Sequence, residues 1–390
     1  MLKHTLKILE ELISFDTTSC YSNLALMEAI GARLDALNIP FELSFNADKT
    51  KANLFASIGD ASVAGIVLSG HTDVVPVVGQ PWSTDPFTLV ERDGKLFGRG
   101  TCDMKGFIAV CLAMAESIQQ AGLDIPIHFA FSYDEEVGCI GVRDVIAELN
   151  TRDVKPLACI VGEPTNMKIV SAHKGMLDKT CHVTGCAGHS SLPNQGVNAI
   201  YAASKLINQL QEMGDEIKQN GPFDARFEPP YTTVHVGNIQ GGTVVNIIPQ
   251  QCEFEYEIRN IPAQDPQLIA DELERFAEES LLPDMQAISD KSDIQWSVHS
   301  AFPALDTPYE AAINPWMKKI LNQGDDLSAV SYGTEAGLFS EIGIETIVCG
   351  PGSIEQAHRP DEYVEISEIQ ACIVFMESML SSLKKNDLPI

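Results

Sequence analysis

Four short apolar runs pass directly into histidine or carboxylate residues, and this constrains the fold more than any other feature of the chain. Residues 65–69 (GIVLS) lead into Gly70-His71-Thr72-Asp73, and 125–132 (IPIHFAFS) lead into Asp134-Glu135-Glu136. Residues 157–161 (LACIV) lead into Gly162-Glu163-Pro164, and 346–349 (TIVC) into a Gly-Pro-Gly loop and then His358. A continuous apolar run reads as a strand buried on both faces, which is the habit of a parallel sheet covered by helices. Helical spacing at 2–14, at 22–37 with Ser22 or Asn23 as N-cap, and at 104–120 with Gly122 as terminator supplies the cover. Open sheets of this kind bind ligands beyond the carboxyl ends of their strands. The four runs therefore bring their polar residues to one sheet edge. A fifth segment, 98–106 (GRGTCDMKG), sets Asp103 at the start of a helix.

Residues 177–302 read differently. A strand at 179–184, a helix at 199–213, strands at 231–239 and 251–258, a helix at 265–279 and a strand at 294–300 follow a βαββαβ order. That order suits a small antiparallel α+β domain. The expected fold is thus α/β, a mostly parallel sheet flanked by helices, with an α+β antiparallel-sheet domain inserted. Residues 1–176 and 303–390 would form the first domain, resuming with a helix at 308–322, and 177–302 the insert. A chain of 390 residues has room for two or three domains at about 150 residues each.

Charge excludes several partners. With 54 acidic against 26 basic residues the net charge is −28, which repels phosphate backbones and anionic membrane surfaces and attracts cations. No uninterrupted apolar run reaches the ~18–20 residues of a membrane span, and the N-terminal segment has the spacing of an amphipathic helix rather than a secretory leader. The expectation is a cytoplasmic protein without nucleic-acid or membrane partners. The ten cysteines are scattered and form no CxxC pair, so neither disulfides nor a thiolate zinc site is expected.

Taken singly, the polar motifs are ordinary. Asp134-Glu135-Glu136 alone would be a solvated acidic turn, and His71 alone a satisfied polar residue. His128 sits among apolar residues and reads as a core histidine. His4, His173, His182, His235 and His299 read as structural or surface residues, and Cys102 as a small buried thiol. It is the coincidence of His71, Asp103, one of Glu135 and Glu136, Glu163 and His358 at one edge that carries chemistry. Carboxylates gathered this way raise one another's pKa unless a cation neutralises them. Two imidazoles with three carboxylates and no thiolate suit Zn²⁺, Co²⁺ or Mn²⁺, and suffice for two ions if one carboxylate bridges. Neither an HExxH nor a G-x-S-x-G motif occurs.

The motifs SGHTD (69–73), GRGTCDMKG (98–106), DEEVG (134–138), GEP (162–164), GHSSLP (188–193) and AHRP (357–360) together resemble the zinc-dependent M20 metallopeptidase and deacylase family. Their order spans essentially the whole chain, and the stretches GRGTCDMKGF and YDEEVGCIGVR lean toward its deacetylases of amino-acid biosynthesis. The resemblance implies a homodimer with two Zn²⁺ ions per subunit, replaceable by Co²⁺, hydrolysing a small N-acyl amino acid. It implies that His71 and Glu163 hold the first ion, Glu136 and His358 the second, and that Asp103 bridges both. Asp73 would hold the His71 imidazole in its tautomer, Glu135 would be the general base, and His189 would reach in from the partner's small domain as an oxyanion donor. For the substrate, Arg259 is a candidate for bidentate carboxylate binding, with Thr334 and Asn246 as further donors and Glu335 facing a substrate amine. Desuccinylases, aminoacylases and carboxypeptidases share the same metal core and remain open at this point. So does a catalytically silent metal-binding dimerisation protein.

Overall fold

A computed structural model describes residues 1–325 and 327–385. The strands are, in chain order, β1 (Phe41–Phe45), β2 (Ala52–Ile58), β3 (Ile66–His71), β4 (Val90–Arg92), β5 (Lys95–Phe97), β6 (Ile127–Ser132), β7 (Ala158–Pro164) and β8 (Val170–His173). Then come β9 (Gly175–Thr184), β10 (Thr233–Gly241), β11 (Gln251–Asn260) and β12 (Asp293–Phe302), followed by β13 (Leu305–Asp306), β14 (Ser328–Val330), β15 (Glu345–Gly350) and β16 (Tyr363–Glu365). The chain divides into two compact units. One comprises Met1–Ala172, Leu305–Ala329 and Thr334–Ile390; the other comprises His173–Ala304 and Val330–Gly333.

The first unit is built on a sheet of order β1-β2-β6-β3-β7-β15-β8-β13, with β14 beside β8. Its centre is parallel: β3 lies between β6 and β7, and β15 runs parallel to β7. The sheet is mixed overall, because β1–β2, β2–β6 and β15–β8 are antiparallel. Register aligns the strand ends, with His71 opposite Ser132 and Pro164 opposite Gly350. Every residue of β3, β6 and β7 is buried, so the apolar side chains of both faces are matched by helices.

Helix α1 (Leu2–Ile13) buries Ile8, Leu9, Leu12 and Ile13, and α2 (Leu24–Ala36) buries Met27, Ile30 and Leu34. Helix α3 (Lys105–Ala121) is buried over most of its length and ends at Gly122, whose φ of 59° is left-handed. Phe107 of α3 crosses β7 so closely that a Cβ on Gly162 would meet its ring at 2.1 Å, which is why the residue before Glu163 has no side chain. Beyond α4 (Val142–Thr151), α5 (Ala199–Asn220), α6 (Pro266–Phe276), α7 (Leu282–Ile288), α8 (Ile313–Leu321) and α9 (Ala336–Glu341) comes α10 (Ile366–Leu383). By length and composition α10 alone among the described residues could cross a membrane, although it is not an uninterrupted apolar run. Its Ile369, Cys372, Phe375, Met376 and Met379 lie in the same core as α1 and α3, so it is a core helix here.

The second unit has an antiparallel sheet of order β10-β11-β9-β12. Strand β11 alternates strictly: Cys252, Phe254, Tyr256 and Ile258 are buried while Glu253 and Glu255 are exposed. The buried face joins α5 and α6 in a separate core. Helix α6 starts at Asp265, whose side chain accepts from the Gln267 N–H, with Pro266 in the first turn.

Candidate metal centre

Six acidic and imidazole side chains meet at the carboxyl ends of the parallel strands of the first unit. His71 ends β3 and Glu163 lies in β7; Glu135 and Glu136 follow β6 in a turn entered by Asp134 at φ 55°. Asp103 belongs to the connection between β5 and α3, two residues before the helix, and its peptide bond to Met104 is cis. His358, at φ 63°, lies between β15 and β16.

Asp103 is the pivot. Its Oδ1 lies 2.9 Å from His71 Nε2, and its Oδ2 lies 3.4 Å from His358 Nε2. Glu163 Oε1 is 3.5 Å from His71 Nε2, and Glu136 Oε2 is 3.0 Å from His358 Nε2. Two sets of potential ligand atoms, from His71, Glu135 and Glu163 and from His71, Asp103 and Glu136, lie within 4.8 Å of one another. His71 Nδ1–H donates to the main-chain oxygen of Asp73 at 2.9 Å, so Nε2 is the nitrogen turned to the carboxylates.

Asp73 lies farther from that ring by its carboxylate, at 3.6 Å. The carboxylate instead accepts from Ser19 Oγ at 2.7 Å and from the backbone N–H groups of Glu135 at 3.1 Å and Glu136 at 3.2 Å. It therefore also anchors the turn that carries both glutamates. Lys51 pairs with Asp134 at 2.5 Å and holds the other side of that turn. Cys139 donates its thiol to Glu135 Oε1 at 3.4 Å, and Cys102 donates to the Ser353 carbonyl at 3.3 Å. All ten cysteines are free.

Electrostatics mark the cluster as short of positive charge. Burial lifts Glu135 to about 8 and Glu136 to about 7, with the charge of Asp103 adding to both. Burial and then Asp103 raise Glu163 well above the ordinary carboxyl range. His358 is raised to about 10 by its bonds to Asp103 and Glu136. Against its own desolvation, Asp103 is held low by His358 and His71. A divalent cation between these groups would relieve the same crowding. The donor set fits one: imidazole nitrogens and carboxylate oxygens on separate loops, with the Cys102 thiol turned to the Ser353 carbonyl and the Cys139 thiol donating to Glu135.

The candidates for substrate contact are more scattered. His189 is exposed in the second unit; its Nδ1 accepts from the Ser191 N–H at 3.2 Å, which leaves the proton on Nε2. Asn246 is exposed in the loop after β10, where its carbonyl accepts from the Ser190 N–H at 3.1 Å. Arg259 lies in β11, half-buried, and pairs with Glu257 at 3.0 Å. Thr334 is fully buried, and its hydroxyl accepts from the Ala336 N–H at 3.0 Å at the start of α9. Glu335 does not face a substrate amine. It is fully buried, with one oxygen taken by Ser69 at 2.5 Å and the other by Ser132 at 2.9 Å. Ser19 and Lys51 went unread in the sequence, since neither stands in a motif and both meet their partners only through the fold.

A family model described as peptidase family M20/M25/M40 matches residues 67–382. The chain belongs to peptidase family M20. The M20 chain is 35% identical to the acetylornithine deacetylase of Pasteurella multocida, over 90% of this chain and 89% of the relative. It is 34% identical to the protein of the same name from Proteus mirabilis, over 94% and 92%. Among solved structures, the M20 family metallo-carboxypeptidase of Sulfolobus solfataricus superposes with a TM-score of 0.77 at 18% identity, covering 98% of this chain and 99% of that one. A tripeptidase of Staphylococcus aureus superposes with 0.73 at 19% identity, covering 99% of each. At such identities these likenesses speak for the M20 fold alone.

Proposed function

We propose that this M20 chain is a two-zinc amide hydrolase that converts N2-acetyl-L-ornithine and water into L-ornithine and acetate, a step of arginine biosynthesis. The observation that carries the reading is Asp103, which turns one carboxylate oxygen to each of two imidazoles, with Glu163 beside the first and Glu136 beside the second. The substrate follows from relatives at 34–36% identity that bear the name acetylornithine deacetylase.

His71 and Glu163 would hold one ion, His358 and Glu136 the other, and Asp103 both; Co²⁺ can replace Zn²⁺ in such a donor set. When bound, the pair supplies a Lewis acid that polarises the amide carbonyl and acidifies water. Glu135 takes the proton from the attacking water as the C–O bond forms and returns it to the nitrogen, so that the C–N bond breaks in a second step and the amine leaves neutral. Asp73 keeps Glu135 in place through its backbone N–H. His189, its Nε2–H free to donate, would stabilise the oxyanion from a second copy of the chain. Arg259, on releasing Glu257, would take the α-carboxylate, and Asn246 and Thr334 are further candidate donors to the substrate.

The test is a substrate comparison on chelator-stripped and zinc-restored protein. Stripped protein is expected to be inactive and zinc to restore it. N2-acetyl-L-ornithine is expected to exceed N-succinyl-diaminopimelate in kcat/KM by about 100-fold or more, because the extra carboxylate of the succinyl group would need a partner of its own. A preference for the succinyl compound would make this a desuccinylase, and turnover by stripped protein would remove the metal from the mechanism.

We also propose that the second unit mediates homodimerisation. Val244, Val245 and Ile247 are 56%, 99% and 44% exposed beside Tyr201 and line a hollow of about 690 Å³. Apolar groups gathered this way commonly mark an interface. Light scattering is expected to give twice the chain mass of 42.4 kDa, and a monomer mass for active protein would refute the donation of His189 in trans.

A further inference from the structure

The connection that carries Asp103 has little regular structure of its own. It runs from β5 to α3 through Gly98 and Gly100, the latter at φ 85°, so its backbone needs an outside anchor. Glu362 provides it. Its side chain is fully buried, and its Oε1 accepts from the backbone N–H groups of Gly100 at 3.1 Å, Cys102 at 2.9 Å and Asp103 itself at 3.1 Å. Its Oε2 accepts from Arg99 at 2.7 Å and from the Gly100 N–H at 3.0 Å, and its main-chain oxygen accepts from the Gly98 N–H at 3.0 Å.

Glu362 also stands four positions after His358, on the same loop. The carboxylate that grips the Asp103 loop thus belongs to the segment that presents the facing imidazole. A second tie closes the ring: Arg99 donates to Gln80 Oε1 at 2.6 Å, and the Gln80 amide donates to the His358 carbonyl at 3.0 Å. Trp82 covers the Arg99 guanidinium, with its ring centre 5.0 Å away. Three converging amides and a guanidinium suit a charged carboxylate and nothing shorter or neutral.

We propose that Glu362 is a positioning residue that sets the distance between Asp103 and His358, and so the tightness with which the ion pair is held. The inference rests on the reading of Asp103 and His358 as metal ligands. Glu362 touches neither metal nor substrate. It acts by fixing the backbone from which Asp103 projects, where a regular element would otherwise do so.

The test measures metal binding by the metal-free protein, by Zn²⁺ competition with a chromophoric chelator and by the visible spectrum of the Co²⁺ form. Glu362→Gln keeps the shape but turns an N–H₂ group toward backbone donors. Because it strands the buried Arg99, the double variant Arg99→Met, Glu362→Gln is made beside it, removing the cation as well. Either variant, with the far-UV circular dichroism of the wild type, is expected to bind Zn²⁺ about 10–100-fold more weakly and to shift the Co²⁺ bands. A merely structural glutamate would alter thermal stability and leave both readouts alone. Wild-type affinity and spectrum in a folded variant would overturn the inference while leaving the metal site intact. Wild-type protein that takes up no ion would overturn the site assignment itself.

Discussion

Replacing Glu135 with glutamine is expected to lower kcat by about 10²–10⁴-fold, the usual range for a general base, with KM and bound metal little changed. Glutamine has the same shape, and the backbone N–H that Asp73 accepts is retained, so the side chain should keep its place. What disappears is the lone pair that receives the proton. Glu136 cannot take over, because its carboxylate faces His358 at 3.0 Å. Steady-state kinetics with metal analysis of the same preparation check this. Unaltered kcat would move water activation to another group, and lost metal would recast Glu135 as a ligand. The second outcome is a sharp alternative, since Glu135 shares a cluster of potential ligand atoms with His71 and Glu163.

The separation of those two glutamates shows where sequence reasoning reaches and where it stops. Opposed side chains are what an extended chain gives to neighbours, but residues 134–138 form a turn, and the divergence comes from the left-handed Asp134 and from the grip of Asp73 on two amides. Ser19 completes that grip from 54 positions away, and no local pattern announces such a pairing. Similarly, Glu335 looks like a polar residue near a site motif. Only the fold shows that both its oxygens are consumed by serines of β3 and β6.

For the fold, legibility followed burial. Strands β3, β6, β7 and β15 lie at the centre of the sheet, so each carries a largely apolar run that stands out without any periodicity. Two of them extend beyond their apolar runs. Strand β3 continues to His71 and β7 to Pro164, because backbone pairing with neighbouring strands persists after the side chains turn polar. The outer strands carry no such signal, for the opposite reason. β1 is half exposed, and β2 carries Asn53, a buried polar residue whose amide donates to the Gly141 carbonyl at 2.8 Å. Those strands, with β8 on the other side, make the sheet mixed, a feature that apolar runs alone do not reveal. In the second unit, helix α5 runs on to Asn220 through a polar stretch held by Ile217, one buried residue per turn being too sparse a signal to extend a helix by eye.

Removing the carboxylate of Asp103 should do far more damage to function than to the fold. In Asp103→Ala both imidazoles lose the group that lies between them, so bound metal is expected to fall from two ions to fewer than one per chain at micromolar zinc. The loss of affinity should exceed the ~10–100-fold typical of an outer-shell change, because a first-sphere ligand is deleted. Turnover should drop by at least about 10³-fold, the upper end of what the loss of one oxyanion donor costs. Stability of the metal-free protein is expected to fall modestly or stay level, because two effects oppose each other. Deletion relieves the repulsion by which Asp103 raises Glu135, Glu136 and Glu163, but it strands the His71 and His358 imidazoles that hold Asp103 low. Two measurements on one variant, zinc content and the Tm of the stripped protein, therefore separate a ligand from a structural residue. A lowered Tm with both ions retained would mean that Asp103 supports the loop and does not bridge the metals, and the pair of imidazoles it faces would then belong to two independent sites.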